Sequence, residues 1–103
     1  MTTILYTFDG DDFAATPAGE QRLLETIHDA LQTEAWSDPE LKDATDDARE
    51  EAVSMSFDGT NRDMPFWDNI MAIMQQSPYE LDVKRIDSES ATDEEKERAS
   101  WAF

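Results

Sequence analysis

The stretch that decides the fold class is residues 2–8, Thr-Thr-Ile-Leu-Tyr-Thr-Phe, halted by Asp9-Gly10. β-branched and aromatic residues dominate it and a turn pair ends it, so it reads as a strand running into a turn. Alternation predicts Ile4, Tyr6 and Phe8 on one face, with Thr3, Leu5 and Thr7 on the other. A strand needs a partner. Residues 79–86 supply one, because apolar and charged side chains alternate there through Tyr79, Glu80, Leu81, Asp82 and Val83. The rest of the chain reads mainly as helix. The expectation is therefore an α+β fold: a small single domain over residues 1–103, with a short antiparallel sheet covered by three to four helices.

Each helix is expected from a start signal followed by an apolar stripe. Thr16-Pro17 supplies a hydroxyl cap and then a proline at the first helical position. Leu23, Leu24, Ile27, Ala30 and Leu31 follow on one face, predicting a helix from about Pro17 to Thr33 with Trp36 packed near its end. Ser37 and Glu40 have capping-box spacing around Pro39. They predict a second helix whose narrow stripe is Leu41, Ala44, Ala48, Ala52 and Met55. Residues 57–61, Phe-Asp-Gly-Thr-Asn, are turn chemistry. A third helix opens at Asp63 to Pro65 and carries Phe66, Trp67, Ile70, Met71, Ile73 and Met74, the most apolar segment and the expected centre of the core. Thr92 and Glu95 form another capping box before a short acidic helix. Trp101 and Phe103 lie beyond its acidic part, either pinning the C-terminal segment or exposed.

Composition sets the functional bounds. The 103 residues hold 25 Asp and Glu against 8 Lys and Arg, a formal net charge of −17. The hydrophobic share is 39%, and it includes three Trp and five Phe in periodic clusters, which argues for a folded core over disorder. There is no cysteine, so disulfides and thiolate chemistry are excluded and a reducing cytoplasm is expected. No apolar run approaches the ~20 residues of a membrane span. Residues 1–10 have no basic segment of the secretory type. The charge disfavours nucleic acid and anionic lipid as partners and favours basic proteins.

No constellation points to catalysis. Asp9, Asp11 and Asp12 follow a strand, where an Asp-x-Asp pair could bind a cation or serve phosphoryl transfer. The chain lacks the later Thr, Lys and length of the haloacid-dehalogenase-type phosphatases that use such a pair, and no EF-hand spacing follows Asp9. A solvated turn is the reading. His28 is the sole histidine and has no Ser or Cys arrangement around it. The pairs Asp46/Asp47, Glu50/Glu51 and Glu94/Glu95 fall on polar helix surfaces, whereas a general acid needs an apolar pocket. Met55, Met64, Met71 and Met74 have the spacing of core packing. A protein without enzymatic activity, metal or cofactor is expected.

The acidic faces carry the functional signal. Glu40, Asp43, Asp47 and Glu50 step by three, four and three, which on one continuous helix forms a stripe opposite Leu41, Ala44 and Ala48. Carboxylates so spaced lie about 5–6 Å apart, comparable with duplex phosphates, and destabilise the helix that bears them. Asp87, Glu89, Asp93, Glu94, Glu95 and Glu97 add a second cluster. An ordinary domain surface explains a net charge of magnitude about 2–8, not this one.

In size, acidity and absence of cysteine the chain resembles the phage-encoded DNA-mimic proteins of the anti-restriction and anti-CRISPR type. It is also similar to the acidic immunity proteins that neutralise basic nuclease toxins. The resemblance is one of composition over the whole chain. It implies a cytoplasmic inhibitor, in an infected or producing bacterial cell, that blocks the basic surface of a nucleic-acid-binding protein or complex. Glu40, Asp43, Asp47, Glu50, Asp93, Glu94 and Glu97 would make the contact. The alternatives are an immunity-type protein and a small domain whose acidity serves high salt, in which case its function is hidden.

Overall fold

A computed structural model describes residues 2–58, 60 and 63–102. The fold is α+β. Strands β1 (Thr3–Phe8) and β2 (Asp11–Ala14) are followed by helices α1 (Pro17–Ser37), α2 (Asp46–Met55) and α3 (Phe66–Gln76), then β3 (Val83–Asp87) and α4 (Asp93–Trp101). The strands form one antiparallel sheet in the order β2-β1-β3. Backbone contacts divide the chain into two compact units, Met1–Thr26 with Asp82–Phe103, and Ile27–Leu81. Each is described by itself.

The first unit holds the sheet. Asp9 and Gly10 both have positive φ, 52° and 83°, and join Phe8 to Asp11 as a two-residue hairpin turn. Positive φ at both positions matches the twist of the flanking strands, and Asp-Gly is a pair that tolerates it. β2 follows a turn after which the sequence predicts no second strand. Asp11-Asp12-Phe13-Ala14 has weak strand preference; its pairing with Leu5 to Phe8 makes it a strand. The expected partner is present, but it begins at Val83 instead of Tyr79.

Directly opposed residues share a face. Leu5, Thr7, Asp12, Ala14, Lys84 and Ile86 therefore lie on one side, and Tyr6, Phe8, Asp11, Phe13, Val83 and Arg85 on the other. Leu5 and Tyr6 are 0% and 5% exposed, so both faces of the central strand are covered. The register slips between Thr3 and Leu5, and Thr3 Oγ1 donates to Asp87 Oδ1 at 2.9 Å. The edge strands carry charge, Asp11-Asp12 on β2 and Lys84-Arg85 on β3, which discourages further strand pairing.

α1 opens as its sequence predicts, with the Gly19 N–H donating to Thr16 Oγ1 at 3.2 Å. It continues past Thr33 to Ser37, through Trp36. Its N-terminal half belongs to the first unit, where Leu23 is fully buried. α4 lies against β1 and β2. Its capping box forms in both directions: Glu95 N donates to Thr92 Oγ1 at 3.1 Å and Thr92 N donates to Glu95 Oε1 at 2.8 Å.

The second unit is helical, with Ile27, Leu31, Ala35, Val53, Ile70 and Ile73 buried. The expected continuous helix from Ser37 to Met55 is not formed. Ser37 closes α1, and Asp38 caps a short 3-10 turn, Pro39–Leu41, by accepting from Glu40 N at 2.9 Å. A second cap, Thr45, accepts from Ala48 N at 3.2 Å and opens α2. The break has an electrostatic reason. It places Asp46 and Asp47 in a first turn, where the helix dipole favours anions, and not in mid-helix among other carboxylates. α3 buries Ile70 and Ile73 as expected, while Met71 is exposed. In the 57–61 turn, Gly59 and Asn61 lie outside the described residues, as does Phe103. No described helix is long and apolar enough to cross a membrane.

Candidate functional site

Two groups of exposed carboxylates correspond to the residues singled out from the sequence. Glu40 lies in the 3-10 turn, Asp43 in the link that follows it, and Asp47 and Glu50 in α2. The helix break means that these four do not form one helical stripe, which corrects that expectation. Asp93, Glu94 and Glu97 share α4, in the other unit. All seven are exposed.

The arginines contrast with them. Arg49 Nε and Nη2 donate to Leu41 O at 3.2 and 2.9 Å, and Nη2 donates to Lys42 O at 3.3 Å. Its guanidinium carbon lies 6.0 Å from the Trp36 ring centroid. One side chain thus ties the α1–α2 link to α2. Arg22 lies 5.4 Å from the Phe13 centroid, and Arg85 Nε is 3.6 Å from Asp87 Oδ1. Arg98 makes a two-point contact with Asp12, donating from Nε at 3.0 Å and also from Nη2. The hydrogen bond to Asp12 and its charge hold Arg98 above its ordinary pKa. Each of the four described arginines thus has a contact within the chain, Arg49 and Arg98 half-buried and Arg22 and Arg85 exposed.

The Asp12–Arg98 pair belongs to a cleft of about 430 Å³ in the first unit. Glu94, Glu97 and Trp101 of α4 line it, as does Arg22. Glu95, Arg98, Ala99 and Ala102 are half-buried, whereas Glu94, Glu97 and Trp101 are exposed, at steps of three and four along one flank of α4. Trp101 is 75% exposed. The sequence left its place open between core and surface. The pairing of Asp12 with Arg98, across a separation of 86 residues, has no local signal.

Asp12 is occupied by Arg98, and Asp9 sits in the turn with positive φ. Among the described residues no three His, Asp or Glu side chains are grouped to hold a metal ion. His28 is exposed, with its ring 5.8 Å from that of Phe57. Burial raises the pKa of Glu20 above the usual carboxylate range. Burial, then the Glu20 charge, raises that of Tyr6. Tyr79 is pushed up to about 12, by burial first and then by the hydrogen bond it donates to Asp38 Oδ2 at 2.8 Å. That bond fastens Tyr79 beside the 3-10 turn and is structural. No protein-family model matches the chain, and no curated protein or solved structure shows significant similarity to it.

Proposed function

We propose that the protein is a non-enzymatic acidic inhibitor. It occupies the basic nucleic-acid-binding surface of a bacterial defence complex or nuclease in place of DNA. The observation that supports this reading is the excess of exposed carboxylates. Glu40, Asp43, Asp47, Glu50, Asp93, Glu94 and Glu97 all face solvent in a chain of net charge −17, while Arg49 and Arg98 are half-buried against the chain's own carbonyls and the Asp12 carboxylate. Local folding accounts for some of these acids. Asp47, Asp93 and Glu94 lie in first helical turns, where the dipole favours them. Glu50 and Glu97 lie beyond those turns and gain no such benefit. A surface of this sign accelerates encounter with a groove lined by Lys and Arg and repels nucleic acid and anionic lipid.

The test is capture from a bacterial host lysate at low salt, repeated at about 0.5 M salt, where the Debye length is about 4 Å. Retention of a basic nuclease or nucleic-acid-binding complex, its release by salt and its displacement by duplex DNA are expected. A folded chain that retains nothing basic refutes the reading. So does a chain that folds only in molar salt, since its acidity then serves solvation.

A further inference from the structure

The acidic surface has one place with shape as well as charge. On the cleft of about 430 Å³, Trp101 is 75% exposed, although a large aromatic residue is ordinarily withdrawn from water. Glu94 and Glu97 stand on the same flank of α4, seven and four residues before it, and both line the cleft. Two arginines also line the cleft: Arg98 holds Asp12, and the exposed Arg22 lies over Phe13. Asp12 and Arg98 offset each other, and Glu94 and Glu97 outweigh Arg22. The opening therefore offers an aromatic face beside two exposed carboxylates.

We propose that Trp101, Glu94 and Glu97 form a notch that receives an arginine side chain of the basic protein partner. This rests on the inhibitor reading and adds to it a point of recognition. A guanidinium is the complementary occupant. Its planar face stacks on an indole, its N–H groups donate to carboxylates, and it sheds water more readily than an ammonium. Arginine and tryptophan are also the residues around which binding energy concentrates at protein interfaces. Elsewhere the surface attracts by charge alone; here it selects arginine over lysine.

The probe is a fluorescein-labelled nona-arginine peptide, with nona-lysine beside it, titrated by anisotropy at low salt. Trp101→Ala and the double variant Glu94→Gln/Glu97→Gln are compared with Asp29→Asn/Glu51→Gln, which removes the same charge elsewhere, outside the residues assigned to the contact. All these side chains are exposed, so the far-ultraviolet circular dichroism stays that of the parent. Trp101→Ala and the Glu94/Glu97 variant are expected to bind nona-arginine about tenfold more weakly, and the control less than about twofold. Trp101→Phe recovers part of the loss, and the preference for arginine over lysine disappears in Trp101→Ala. Equal weakening in the control, or no preference for arginine in the parent, overturns the notch. Lysate capture then still judges the inhibitor reading. If capture fails while the peptide pattern holds, the inhibitor reading falls and the notch stands.

Discussion

Replacing Gly19 by alanine pits two physical effects against each other with opposite signs. Gly19 is buried in the first turn of α1. A Cβ placed there would stand 2.1 Å from the Ala14 carbonyl oxygen and 2.8 Å from its carbon and nitrogen, where ordinary contact begins at 3.4 Å. The obstacle is backbone at the end of β2, which cannot rotate aside as a side chain does. Relief requires α1 and β2 to separate by about 1 Å, at the junction that also presents Asp12 to Arg98. Helix propensity favours alanine by at most about 1 kcal/mol. Overpacking costs about 1–3 kcal/mol, and more when main chain must move. The expected net result is a loss of about 2 kcal/mol. With a urea slope of about 2 kcal/mol per molar, that lowers the unfolding midpoint by about 1 M. Tryptophan fluorescence follows the transition, with Gly10→Ala as a reference. Gly10 has open space around it and φ of 83°, so its substitution costs only backbone strain, about 1–2 kcal/mol. A Gly19→Ala midpoint equal to or above that of the parent would refute the close approach of α1 to β2.

Three further outcomes are expected. Ser56 is fully buried and its Oγ has no hydrogen-bond partner, so Ser56→Ala should raise stability by about 1 kcal/mol in urea; a lower midpoint contradicts this. Tyr6 and Tyr79 have folded pKa values above the ordinary 10.0, the latter about 12. Their neutral forms are favoured in the fold, so this contribution is complete below pH about 10 and is lost as pH rises toward 12. Ultraviolet titration should show less tyrosinate near pH 10 in the folded chain than in the unfolded one, and Tyr79→Phe should weaken the alkaline loss; ordinary titration of both tyrosines argues against the assigned environments. Finally, Glu40→Gln, Asp43→Asn, Asp47→Asn and Glu50→Gln combined should keep the helical signal and hold or raise the melting temperature, because like-charge repulsion falls. Partner retention from lysate should drop, and unchanged retention removes these four from the contact.

Elements that rest on nearby residues were legible in the chain. The Thr16-Pro17 start, the Thr92–Glu95 capping box, the apolar α3 and the Asp9-Gly10 turn each depend on side chains within about four positions. The segment 37–55 was not, because two start signals compete there. Asp38-Pro39 and Thr45 are both adequate caps. Arg49, reaching back to the Leu41 and Lys42 carbonyls, and Tyr79, bonded to Asp38 from 41 residues away, stabilise the broken arrangement. β2 was hidden for a related reason: Asp11 and Asp12 suggest solvent, and only pairing with β1 makes a strand of them.

The same contrast separates the two levels of the functional reading. Net charge is a sum over residues and survives any arrangement of the chain, so the proposal of a basic partner rests on the sequence alone, where the α+β class and most helix starts were legible as well. Where that charge acquires shape is a matter of tertiary structure. Asp12 and Arg98 meet across 86 positions, and their contact sets the α4 flank beside β2. Trp101 and Glu97 are thereby placed on a cleft, a juxtaposition that no local pattern of residues encodes.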